Sequence, residues 1–127
     1  MDDPVVHALD FVRNFGALAE RLAKRNVVVR RLHCDWSGFG SWTVDASRGD
    51  AEAKRSSAIH RHAFNEAGPE VCRVEWDGKD RQLYMGSTPT EASVMLNQWR
   101  HLEPQSCNSY EAALALAEEW LCDRLGS

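Results

Sequence analysis

The chain has 127 residues, of which 43% are hydrophobic and 27% charged, and this composition fits a single globular domain spanning residues 1–127. Its net charge of −4 argues against nucleic-acid binding, because phosphate backbones are bound by positively charged surfaces. No stretch approaches the roughly 18 apolar residues of a membrane span, and the N-terminus lacks the basic start of a signal peptide, so we expect a cytoplasmic protein.

An amphipathic helix is predicted at the start of the chain. Asp3 suits the N-cap, and Pro4 suits the first helical position, where a backbone N–H has no helical partner. Apolar residues then recur at steps of three and four and predict one buried face: Val5, Leu9, Val12, Phe15, Ala19 and Leu22. Asn26 tolerates the left-handed conformation that often ends a helix.

Two strands are predicted over residues 27–46, with a turn at residues 37–40. Alternation in the first strand places Leu32, Cys34 and Trp36 on one face. In the second strand, Trp42, Val44 and Ala46 share a face, and Ser41, Thr43 and Asp45 lie opposite. One apolar and one polar face predict an antiparallel sheet that is covered on a single side.

A polar loop is expected over residues 47–57. Residues 58–64 fit either a helical turn or a strand, and we favour the strand. The clearest hairpin follows, with Asp77 and Gly78 as its turn between the apolar positions Val74, Trp76, Leu83 and Met85.

Two helices are predicted after the hairpin. The capping box at residues 88–91 begins the first, whose apolar side is Ala92, Met95, Leu96 and Trp99 and which ends before Pro104. Residues 108–111 begin the second, whose face is Ala113, Leu116, Ala117, Trp120 and Leu121. The predicted fold class is therefore α+β: an antiparallel four- or five-stranded sheet with the N-terminal helix and two C-terminal helices on one face.

His60 and His62 are the residues that most resemble a reactive site. In a strand they point the same way and are candidates for binding a metal, with His33 and a cysteine as further ligands. Zinc requires three or four ligands, and no local spacing supplies them, so we favour ordinary sheet histidines, with a metal-dependent enzyme as the alternative. Four separated cysteines without a CxxC pair favour buried or free thiols: Cys34, Cys72, Cys107 and Cys122. No cofactor is predicted.

Acidic residues are concentrated in the second half of the chain, where residues 63–127 hold eleven acids against five bases. This is either a solvated face that maintains solubility or a surface that attracts a basic protein partner. Under the second interpretation, the expected contacts are Asp77, Asp80, Glu118, Glu119 and Asp123. Tyr84 is the expected aromatic anchor, because it alternates with the apolar Leu83 and Met85 and should face outward.

In size, charge and order of elements, the whole chain resembles small acidic bacterial immunity proteins, which protect a cell from a toxin. No motif carries this resemblance, so it transfers no residue. It implies a non-enzymatic protein that neutralises a basic toxin such as a nuclease, with neither nucleic acid nor membrane as partner. A small secretion-type chaperone is the alternative. In the element order of such chaperones a helix comes between the strands of the sheet, whereas this chain has a polar loop at that position.

Overall fold

The protein has an α+β fold in which two helices pack on the same face of an antiparallel sheet. The computed structural model describes residues 4–35, 40–50, 70–88 and 99–126. The elements in chain order are α1 (Pro4–Lys24), β1 (Val27–Cys34), β2 (Trp42–Arg48), β3 (Val71–Asp77), β4 (Gln82–Thr88), β5 (Arg100–His101), β6 (Gln105–Ser106) and α2 (Tyr110–Leu125). None of the described helices has the length and apolar character needed to cross a bilayer.

The described residues form a sheet of six strands, five of them in the order β1-β2-β3-β4-β5 and the sixth, β6, paired with β4; every described pairing is antiparallel. Both β5 and β6 pair with the same edge of β4, at opposite ends of that strand. The α+β class, the antiparallel sheet and the two terminal helices are as predicted. The helix predicted from the capping box lies within residues 89–98, outside the described residues, but Trp99, which was assigned to it, is not helical.

Helix α1 begins at Pro4 as predicted, but its buried face differs from the prediction. The residues in the core are Phe11, Phe15, Leu18 and Leu22, which follow one another at steps of four, three and four. Leu9 is 48% exposed and Val12 is 64% exposed. The sequence carries two apolar stripes on this helix, and the stripe with two aromatic rings is the one that packs on the sheet, because it buries more apolar area.

An aromatic cluster joins α1 to the sheet and to α2. The Phe15 ring meets Trp42 of β2 edge-on at 5.3 Å between centroids, and Phe11 meets Tyr110 of α2 edge-on at 5.0 Å. Helix α2 contributes Ala113, Ala117 and Leu121 to the same core, as its apolar pattern predicts. Its N-terminus is capped by Ser109, whose hydroxyl oxygen accepts a hydrogen bond from the Ala112 N–H at 3.1 Å.

Strand β1 contains a bulge that the sequence pattern does not reveal. Val29 pairs with Ala46 and Arg31 with Asp45, so β1 has one residue more than β2 between these pairs. The extra residue keeps Val27 and Val29 on the same face as Cys34 instead of the opposite one. Leu32, predicted to be buried on that face, is 44% exposed because β1 is the edge strand of the described sheet.

The predicted hairpin is confirmed as β3 and β4, with Val74, Trp76, Leu83 and Met85 all in the core. The loop is longer than two residues, since Asp77 pairs with Gln82. Within it, the Asp77 Oδ1 accepts hydrogen bonds from the N–H groups of Lys79 and Asp80 at 3.0 and 3.2 Å. Asp77 therefore closes the turn in the way that aspartate often does.

Candidate partner-binding site

We call the sheet face turned away from α1 and α2 the second face. The alternation of the strands predicted that this face is exposed to solvent. It is instead buried at one end and exposed at the other. Ser47, Val71 and Thr88 are buried on this face, and Val71 lies outside the main core cluster. Glu75 and Tyr84, cross-strand partners further along β3 and β4, are exposed. The prediction of a sheet covered on a single side is therefore wrong for the buried end.

A buried ion pair marks the boundary between the two ends of the second face. Asp45 of β2 is 5% exposed, and both its carboxylate oxygens accept hydrogen bonds from the Arg73 guanidinium of β3, at 2.7 and 2.9 Å. These hydrogen bonds raise the pKa of Arg73 and hold the guanidinium in a fixed plane. The indole ring of Trp99 stacks on this plane, with Cζ of Arg73 4.3 Å from the ring centroid.

A depression with a cavity volume of about 180 Å³ lies beside this pair on the second face. We call it the Trp99 depression; the side chains that define it are Arg73, Glu75, Tyr84, Trp99 and His101. Gly86 of β4 forms its floor. A Cβ atom at Gly86 would lie 3.0 Å from Nδ1 of His101, so the glycine allows the imidazole to lie close against the strand.

The Trp99 depression carries a net negative charge at neutral pH. The charge of Arg73 is balanced by Asp45. Glu75 makes no ion pair with a described residue, but its negative charge is near enough to Arg73 to contribute to the raised pKa of that arginine. The depression thus combines two aromatic rings with a carboxylate that makes no ion pair with a described residue, which suits a cation rather than an anion.

The structure does not bring the six predicted contact residues together. Asp77 and Asp80 lie in the β3–β4 turn. Tyr84 is 39% exposed, as predicted, and lies on the second face, away from α2. The acids of α2 lie on the other side of the sheet and towards the C-terminal end of that helix. The six residues therefore do not form one continuous surface, and their contact with a partner stays a prediction.

Three of the predicted contacts are on α2, and they differ in environment. Glu118 accepts a hydrogen bond from Arg21 of α1 at 2.8 Å, and this ion pair raises the pKa of Arg21. Glu119 and Asp123 are exposed, and neither forms an ion pair with another described residue. Four residues apart, these two carboxylates lie one above the other on the helix, and we call them the α2 acidic stripe.

The last arginine of α2 does not neutralise this stripe. Arg124 donates two hydrogen bonds to Glu70, at 3.0 and 2.8 Å, and so ties the end of α2 to the start of β3. Glu70 also lies 3.7 Å from Sγ of Cys72. Burial, reinforced by the negative charge of Glu70, raises the pKa of Cys72 to about 12, so this thiol stays protonated at neutral pH.

The metal hypothesis finds no support within the described ranges, although its main residues lie elsewhere. His60 and His62 fall in residues 51–69, outside the described residues. His33 is exposed on β1, and residues 4–35, 40–50, 70–88 and 99–126 contain no group of three potential ligands. All four cysteines are free thiols; Cys72, Cys107 and Cys122 are buried, and Cys34 is partly buried against the core.

Sequence reasoning missed the residues that build the Trp99 depression other than Tyr84. Trp99 and His101 had been assigned to the helix that ends before Pro104, Arg73 had been given no role, and Glu75 had been counted only among the acidic residues of the second half of the chain. The alternation of β3 placed Arg73, Glu75 and Asp77 on one face and was the available signal. The chain matches no protein-family model, no curated protein and no solved structure.

Proposed function

We propose that this chain is a non-enzymatic, cytoplasmic protein-binding domain that inhibits a basic protein, in the manner of an immunity protein that neutralises a toxin. The α2 acidic stripe is the observation that carries the proposal. Its two carboxylates are exposed and unneutralised by other described residues, on a helix whose neighbouring charged residues, Glu118 and Arg124, are used in pairs that hold the fold together.

Folding stability does not account for the stripe. Like charges four residues apart on a helix destabilise it by roughly 0.2–0.5 kcal/mol. Asp123, in the last turn of α2, costs roughly 0.3–1 kcal/mol more, because the helix dipole is negative there. Glu119 and Asp123 therefore oppose folding by about 1 kcal/mol together. Attraction of a positively charged partner is a role in which the same two charges are favourable.

The hairpin turn contributes a second acidic position. Asp77 is occupied by its hydrogen bonds to the turn backbone, but Asp80 uses only its own N–H there, and no ion pair to its carboxylate is found in the described chain. The turn lies near the start of α2, where Nη1 of Arg81 donates to the Asn108 carbonyl oxygen, and the α2 acidic stripe lies in the second half of that helix, so a partner that contacts both must extend along α2.

The test is binding to the protein encoded by the neighbouring reading frame, with affinity measured by calorimetry at low and high salt. We expect tight binding that weakens with added salt, because exposed charges are screened. The double variant Glu119→Gln/Asp123→Asn should weaken binding at least fivefold at low salt. Glu103→Gln, which removes an exposed acid between β5 and β6, is the matched control and should leave the affinity unchanged.

Two results would count against the proposal. One is binding whose affinity is the same in the double variant and in the wild-type protein at low salt. The other is a neighbouring product that is acidic or does not bind at all, together with no inhibition of its activity by this chain.

A further inference from the structure

We infer that the Trp99 depression is the subsite for an arginine side chain presented by the basic partner. This inference rests on the proposed function and assigns to it a second, chemically specific contact. The occupant follows from the charge and shape of the depression, which lies on the second face and is separate from the α2 acidic stripe.

The charge of the depression selects a cation. Two carboxylates share one guanidinium here: Arg73 makes both its side-chain hydrogen bonds to Asp45, and Glu75 interacts with it through charge alone. An incoming anion would be repelled by Glu75, and it would gain less from Arg73 than from a free guanidinium, because Nε and one N–H of Nη2 already donate to the Asp45 carboxylate. A cation meets the Glu75 carboxylate, which makes no hydrogen bond to a described residue, beside an arginine whose charge is balanced by Asp45.

The aromatic side chains select a planar cation. Tyr84 and Glu75 are directly opposite each other on β3 and β4, so a group held by one is within reach of the other. A guanidinium stacks on an aromatic face and at the same time donates two parallel hydrogen bonds to a carboxylate, whereas an ammonium acts as a point charge. Arg73 stacked on Trp99 at 4.3 Å shows the same contact made within the chain itself.

The lining of the depression is fixed in advance of binding. The stack of Asp45, Arg73 and Trp99 joins β2, β3 and the residue before β5, and Gly86 leaves room for the His101 ring beside it. Preorganised walls lower the ordering cost of binding, so even one side chain can bind measurably. Arginine, tryptophan and tyrosine are also the residue types most enriched where protein interfaces derive their affinity.

The probe is N-acetyl-arginine amide, titrated into the full isotope-labelled chain and followed by NMR. We expect saturable shifts confined to the backbone amides of Tyr84 and Gly86 and the indole N–H of Trp99. N-acetyl-citrulline amide, which has the same shape without the charge, and N-acetyl-lysine amide should bind at least threefold more weakly. Glu75→Gln should weaken the arginine probe about three- to fivefold, as expected for loss of one exposed ion pair.

Two further variants separate a local contact from a general effect of charge. Tyr84→Leu removes the stacking surface without changing the charge and should weaken the probe about two- to fivefold. Glu103→Gln and the α2 double variant should leave the probe affinity unchanged. Spectra of each variant without probe establish that the fold is retained.

The inference is overturned if citrulline or lysine amide binds as tightly as arginine amide, if the shifts map to α2 instead of β4, or if Glu75→Gln has no effect. These outcomes are independent of the partner, because the probe is a free amino-acid derivative. If the depression binds the arginine probe but the product of the neighbouring reading frame binds independently of the α2 acidic stripe, the proposed function is refuted and the subsite is retained. The reverse result would refute the subsite alone.

Discussion

The ion pair between Asp45 and Arg73 is the feature whose removal we expect to be most costly among the charged contacts of the described chain. The variant Asp45→Asn keeps the shape of the side chain but leaves the Arg73 guanidinium, whose side chain is only 23% exposed, facing a neutral amide. Breaking a fully buried pair costs roughly 3–5 kcal/mol. Because water still reaches part of Arg73, we expect a loss of about 2–3 kcal/mol in the free energy of unfolding.

The assay is urea denaturation followed by tryptophan fluorescence. The midpoint should fall while the slope with denaturant concentration stays constant, which marks a change in stability and not in the extent of unfolding. Asp77→Asn is the matched control: the same chemical change is made on the same sheet face, and the amide oxygen still accepts the turn hydrogen bonds. Its stability should change by less than about 0.5 kcal/mol.

A double-mutant cycle with Arg73→Met isolates the interaction between the two side chains. We expect a coupling energy of at least about 1 kcal/mol, because the two residues share two hydrogen bonds. A loss below about 0.5 kcal/mol for Asp45→Asn, or additive effects in the cycle, would refute the argument that this pair stabilises the second face.

Two other predictions concern the core and a buried thiol. By urea denaturation, Phe15→Ala should lower the free energy of unfolding by about 3–5 kcal/mol, and Val12→Ala should lower it by less than about 0.5 kcal/mol. Equal losses for the two variants would show that the wrong apolar stripe of α1 has been placed in the core. Because the pKa of Cys72 is raised from 9.0 to about 12, the unfolded chain loses this proton at lower pH than the folded protein, so stability should fall as pH rises above about 9. Between pH 8 and pH 10, the urea midpoint should fall less steeply with pH for Cys72→Ala than for the wild-type protein. The same dependence of the midpoint on pH in both proteins would contradict the raised pKa of Cys72.

Helix and strand positions were readable from the sequence because local chemistry determines them. Pro4 and Ser109 sit at helix starts for reasons of backbone hydrogen bonding, and Asn26 adopts a φ of 61° at the end of α1. The alternation of β3 and β4 likewise required only the period of a strand. These features depend on neighbours within a few residues, so the chain sequence contains their cause.

Features that depend on distant residues were not readable in the same way. The choice between the two apolar stripes of α1 is made by the sheet, where Trp42 meets Phe15. The bulge in β1 is visible only in its register with β2. Trp99 fits a helical pattern by spacing, but its position is set by a contact with Arg73, 26 residues earlier in the chain.

The candidate site illustrates the same limit, because charge counting cannot distinguish neighbours such as Glu118 and Glu119. They are adjacent in sequence but about 100° apart around the helix, and only Glu118 points to Arg21, which is 97 residues away. Asp77 is likewise committed to its turn. Of the five acids expected to bind a partner, folding thus uses Glu118 and Asp77, and the carboxylates of Asp80, Glu119 and Asp123 remain. Substitution of these three should weaken binding of the basic partner without loss of stability. Substitution of Glu118, or of Asp77 by a residue that cannot accept the turn hydrogen bonds, should lower stability.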